Sequence, residues 1–164
     1  MSNLTDEEVV HRLGSTSPET ADAAAKEVLN RGERLFELLL RLRDNRRPFA
    51  GRALLNPDAS ILMPTPIEGF PLPDSEQERL VTVEVAALYL ISAAFYRDIH
   101  FAQAPLLVDL EEPREKRRAA NTAERLDRAL RTTEFWVTEC RQVGIDTLRS
   151  KGRAPLDDGH LKWF

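Results

Sequence analysis

The residues best suited to chemistry are Asp98 and His100, in the run Arg97-Asp98-Ile99-His100 that follows a strongly apolar stretch, with Asp109 on the next connector. An aspartate beside an imidazole is the material of acid–base catalysis, or of a metal site if further donors converge. The plainer reading is a helix terminus: Asp98 ends the helix, and an imidazolium at His100 is favoured by the carbonyl end of the dipole. That reading outweighs the catalytic one. His11, His100 and His160 share no i,i+3 or i,i+4 spacing that would offer two imidazoles to one ion, so no metal is expected. The single cysteine, Cys140, excludes an intramolecular disulfide, and its place on an apolar stripe reads as a buried, inert thiol. The seven glycines form no phosphate-cradling loop or dinucleotide fingerprint, and no serine sits in a nucleophile elbow, so no cofactor is expected.

Two basic clusters could hold anions. Arg41, Arg43, Arg46, Arg47 and Arg52 have only Asp44 among them, whereas Arg114, Lys116, Arg117 and Arg118 adjoin Glu111, Glu112 and Glu115. The first is the better candidate. Cations near a helix C-terminus are nonetheless favourable without a ligand, and no aromatic series accompanies them for base stacking. With a net charge of -4, the whole chain has no pull toward nucleic acid or anionic lipid. Four apolar residues near the end, Leu156, Leu161, Trp163 and Phe164, are costly to leave in water and are expected to dock on the domain or insert into a partner.

The elements that must position these residues are helical. A length of 164 residues, 42% of them hydrophobic and 30% charged, suits one soluble domain, leaning to helix because alanine and leucine are plentiful and glycine is scarce. Thr5 to Glu8 spell a capping box, which predicts a first helix from Asp6 to about Leu13. Ser17-Pro18 starts a second, ending near Gly32. "ERLFELLLRLRDN" predicts a third from Glu33 to Asn45. Half of the ten prolines then fall within "PDASILMPTPIEGFPLPDS", which predicts a long ordered loop with Phe70 among its apolar residues. A central buried helix is expected from near Thr82, and a longest helix from about Arg114 to Gln142, opened by Pro113 and stopped at Gly144. Short strand pairing is expected among 61–64, 79–83 and 106–109.

Residues 13–45 resemble a HEAT-like (armadillo-type) helical repeat: a helix ending in leucine, a polar turn reaching Ser17-Pro18, an alanine-rich helix, a glycine, then a leucine-rich helix. "RLGSTSP" from Arg12 can be laid on "RLRDNRRP" from Arg41, an offset shorter than the roughly 40 to 47 residues of such arrays. The resemblance implies a helix-pair scaffold that binds other proteins, and it carries over no catalytic residue.

The expectation is therefore an all-α fold of five to six helices in one domain over residues 1–164. It comprises a helical-hairpin half (1–55), a proline-rich loop (56–81), the central and long helices (82–152) and a docked aromatic tail (153–164). The start of the sequence has no basic and apolar leader, and arginine far outnumbers lysine, which together suggest a soluble, cytoplasmic protein from a GC-rich, bacterial genome. The expected role is a non-enzymatic interaction module, of an adaptor or immunity type, with another protein as partner and no membrane. The candidate contact residues are Phe70, Trp163, Phe164, Arg43, Arg46 and Arg47. The alternatives are a small-molecule or metal-dependent enzyme with a pocket at Asp98/His100 under the proline-rich loop, and a nucleic-acid accessory protein using the Arg41–Arg52 patch.

Overall fold

A computed structural model describes residues 3–55, 78 and 80–164. It is mostly helical, with one small two-stranded sheet. Helix α1 (Asp6–Arg12) is capped as expected: Thr5 Oγ1 accepts from Glu8 N at 3.2 Å, and Glu8 Oε2 accepts from Thr5 N at 2.7 Å. Helix α2 (Pro18–Arg31) starts at Ser17, whose hydroxyl accepts from Thr20 N, and stops at Gly32, where φ is 61°. Arg31 ties the two helices together by bonding Asp6 and the Leu4 carbonyl.

The predicted third helix is broken. A 3-10 turn (Gly32–Leu35) leads into α3 (Phe36–Leu40), and turns follow to Asp44, which has a positive φ of 65°. The physical reason lies in the next helix, α4 (Val83–Tyr96). Every residue from Val83 to Phe95 is buried, so the free N–H groups of its first turn cannot turn to water. The chain leaves α3 early enough for Asn45 O to accept from Glu84 N at 3.1 Å and Arg47 O from Val83 N at 2.9 Å, while Thr82 Oγ1 takes Val85 N. At the other end Arg97 adopts the left-handed conformation, and Asp98 N donates to Ala93 O. The Arg149 guanidinium donates to the carbonyls of Phe95 (2.7 Å) and Ala94 (2.6 Å).

The longest helix, α5 (Ala123–Val143), starts nine residues later than the sequence predicts, since Arg114 to Lys116 form only a 3-10 turn. Residues 117–121 read as helix by composition, but their main-chain groups are claimed elsewhere. Ala119 bridges to Val108, and Ala120 N donates to Leu107 O. The Asn121 side chain accepts from Leu107 N and donates to Pro105 O. Thr122 is then the N-cap, its hydroxyl accepting from Arg125 N. Gly144, at φ 84°, ends α5 and starts α6 (Ile145–Ser150).

Strand β1 (Leu107–Asp109) forms where 106–109 was expected to pair, but its partner is β2 (Leu161–Trp163) of the tail, antiparallel, with Leu107 opposite Trp163. Of the other two expected segments, Thr82 bridges to Pro48, and 61–64 lies outside the described residues, as does the expected proline-rich loop apart from its last residues. Arg125 fixes this region. It is 5% exposed, and its Nη1 donates to the carbonyls of Leu107, Arg118 and Ala120, while Nη2 meets Glu112.

Replacing Arg125 by Met keeps much of the volume but strands buried carbonyls. The expected loss in urea unfolding is about 3 kcal/mol, against about 1 kcal/mol for Thr122→Ala, which removes only a cap. An Arg125→Met protein as stable as the parent would refute this role.

Candidate functional site

A cleft of about 280 Å3 lies between the C-terminal half of α4 and the tail. Four pieces of chain build it. Helix α4 contributes Ser92 and Tyr96, and the following turn Phe101 and Ala102. Residues 154–157 and strand β2 close the other side with Pro155, Leu156, Asp157, Leu161, Lys162 and Trp163. Its walls are set by buried contacts. The Tyr89 hydroxyl donates to Ile99 O at 2.9 Å, which holds the turn after α4. Burial pushes that phenol well above its ordinary range, so it stays a donor. Phe101 stacks between Tyr89 (4.9 Å between centroids) and Tyr96 (4.7 Å). Trp163 meets Tyr89 edge-on at 5.3 Å and donates its indole N–H to Ser92 Oγ at 3.0 Å.

Tyr96 is the one side chain of α4 that faces outward, 49% exposed. Partial burial, with the nearby Asp157 charge, raises its pKa and keeps it a neutral phenol. The Asp157 carboxylate accepts from Ala154 N at 2.8 Å, which pins the rim. A second groove, about 290 Å3 between α3 and α5, has Leu40 and Val137 among its lining, but the Arg43–Glu134 pair at 3.0 Å, which also lines it, ties the turn after α3 to α5. A ligand there would have to displace an ion pair, whereas the aromatic cleft is already open.

The residues singled out from sequence are dispersed. Asp98 and His100 are neighbours in a turn, and the Asp98 carboxylate accepts from the His100 backbone N–H at 2.8 Å. The His100 ring lies elsewhere, with Nε2 at 2.9 Å from Ala53 O. Asp109 is paired with Arg128 and accepts from Glu111 N, on β1 rather than in that turn. Among the described residues no three His, Cys, Asp or Glu converge to hold a metal ion. Cys140 donates to Glu33 at 3.4 Å, and burial together with that carboxylate pushes its thiol up to about 12.

Trp163, a candidate for partner contact, is buried by the domain and so faces no partner while the tail is docked. Phe164 is half-buried, its main chain bonded to Gln103, Ala104 and Leu106. Arg43 is paired with Glu134, whereas Arg46 and Arg47 are exposed. Phe70 lies outside the described residues. Sequence reasoning passed over Tyr96, Phe101 and Asp157. Their only signal was the aromatic pair Phe95-Tyr96 at the end of an apolar helix, where one ring must point inward and the other out. No helix among the described residues is long and apolar enough to cross a membrane. Compared with known proteins, the chain matches no family model, no curated protein and no solved structure.

Asp109 carries a pH signature. Burial works to raise its pKa, but the bonds from Arg128 and Glu111 N, with the charges of Arg128 and Arg125, outweigh it, and the folded value is lowered. Its contribution is therefore present above the ordinary carboxylate pKa of about 3.9 and fades as pH falls through and below that value. In urea unfolding, Asp109→Asn is expected to be less stable than the parent by about 1 to 3 kcal/mol at pH 7. The gap should narrow on going to pH 3; a gap independent of pH would overturn this account.

Proposed function

We propose that this protein is a non-enzymatic interaction module, acting in the cytoplasm, that seats an apolar or aromatic side chain of another protein in the cleft beside Tyr96. The observation that carries this reading is a half-exposed tyrosine stacked on the half-buried Phe101, which stacks in turn on the buried Tyr89. Tyrosines are enriched at interface centres because they offer a large, stiff surface with a polar tip. Prior fixing of the ring reduces the ordering cost of association. The HEAT-like reading of residues 5–55 belongs to the same proposal: α1 and α2 pack against each other as the scaffold, and α3 and α4 extend it.

A small-molecule site is the second reading, because the cleft lies at the lower edge of the roughly 300 to 1,000 Å3 of ligand pockets. One experiment separates the two. A photo-crosslinking amino acid at Lys162, on the rim, is expected to capture one defined protein in cells of the source, and the same probe at Glu124 is expected to capture none. Tyr96→Ala should then weaken the purified complex by about 2 kcal/mol, roughly 30-fold, with little change in melting temperature. No captured protein, together with a metabolite that raises the melting temperature of the parent but not of Tyr96→Ala, would establish the small-molecule reading instead.

A further inference from the structure

Over most of this surface the arginines are matched to acceptors. Arg31 meets Asp6 and Glu27, Arg118 meets Glu78, Arg128 meets Asp109, Arg141 meets Glu37, and Arg153 meets Glu139 and Asp158. One corner differs. Arg12, Arg46 and Arg52 are exposed and form no ion pair among the described residues, and the Arg47 guanidinium reaches only Asn45 Oδ1, at 3.4 Å. Outside it, Arg41 and Arg114 are the only other described arginines without an acceptor.

The backbone that presents these groups is fixed from two sides. Arg47 O and Phe49 N bond Val83 N and Val81 O at the entry to α4. On the other side, Asp22 Oδ1 on α2 accepts from both Arg52 N (2.7 Å) and Ala53 N (2.8 Å), and Gly51 sits so close that a Cβ would strike the same carboxylate. The Arg47 guanidinium lies against the turn between α1 and α2: a Cβ on Gly14 would be 2.9 Å from its Nη2. Arg12 is two residues before Gly14. The nearby acids make their hydrogen bonds elsewhere. Asp22 accepts from main-chain N–H groups, Glu8 closes its capping box with Arg12 in its field, and Glu19 accepts from the Ser17 hydroxyl with Arg52 in its field. None of these carboxylates forms an ion pair with the four guanidinium groups among the described residues.

We propose that the corner formed by Arg12, Arg46, Arg47 and Arg52 binds an acidic segment of a partner protein. Guanidinium forks match carboxylates in pairs of parallel hydrogen bonds, and cations held on an anchored backbone lose little freedom on pairing. A nucleic acid fits less well. The whole chain is net negative, at -4, and the single aromatic of the segment, Phe49, is buried and offers no platform to a base. The corner stands on different residues from the aromatic cleft, so it does not depend on that reading.

The test is fluorescence anisotropy with the full chain at low salt, about 50 mM, where surface attraction is least screened. The probes are a labelled Glu/Asp-rich dodecapeptide and a labelled single-stranded DNA dodecamer. Saturable peptide binding is expected, weakened at least roughly tenfold by Arg46→Glu with Arg47→Glu and only partly by the corresponding lysine variants, which keep charge but lose the fork. Arg114→Glu with Lys151→Glu, reversing two exposed cations elsewhere in the chain, should change it less than about twofold. If the double reversal fails to fold, as judged by circular dichroism, Arg46→Gln with Arg52→Gln serves the same comparison. No saturable peptide binding, equal weakening by the control pair, or tighter binding of the DNA than of the peptide would each overturn the proposal.

Discussion

The structure is organised by the requirement that α4 be buried on every side. From Val83 to Phe95 every residue of this helix is buried, so water is a poor source of partners for the free groups at its ends. An unpaired buried amide or carbonyl costs about 1 to 3 kcal/mol. The rest of the chain is arranged to supply the missing partners: two carbonyls from the turn after α3 at one end, and a guanidinium from α6 at the other. This explains why α3 is short although its leucines could continue a helix, and why α6 begins immediately after Gly144. Each segment gives up regularity of its own to complete the central helix.

A similar exchange governs the connector. Arg125 is a charge taken out of water, tolerated because three carbonyls and a carboxylate surround it. With Asn121 it fixes β1, and β1 in turn gives the tail a strand to pair with. Trp163 is thereby delivered to Tyr89 and Ser92, and one wall of the aromatic cleft is made. The cleft is thus a consequence of how a buried arginine resolves its own hydrogen bonding.

This dependence also shows which parts were legible in the sequence. Caps at Thr5 and Ser17 act within one turn, so their residue types and spacing were enough. The apolar run of α4 was readable as a central helix for the same local reason. The start of α5 was not, because Ala119 to Asn121 have acceptable helical propensity and lose it only to partners 11 to 16 residues upstream, Leu107, Val108 and Pro105. Nor was the pairing of β1 with the tail, since three-residue strands carry almost no periodicity. The candidate site shares this difficulty. Asp98 and His100 stood out as neighbours in sequence, yet one closes a turn and the other reaches a distant carbonyl, whereas Tyr96, Phe101 and Asp157 converge from separate segments.

Both candidate surfaces adjoin the same helix: Arg47 lies at its start, and Tyr96 is its last residue. The caps at the start of α4 are made largely by main-chain atoms, the carbonyls of Asn45 and Arg47, and those at its end engage the carbonyls of Ala94 and Phe95. The side chains of Arg46, Arg47 and Tyr96 take no part in these caps, and all three are exposed. A loop usually gains freedom of side-chain choice at the expense of rigidity. Here main-chain carbonyls satisfy the first amides of the buried helix, so the segment that supplies them is tied down without calling on the side chains of Arg46 and Arg47.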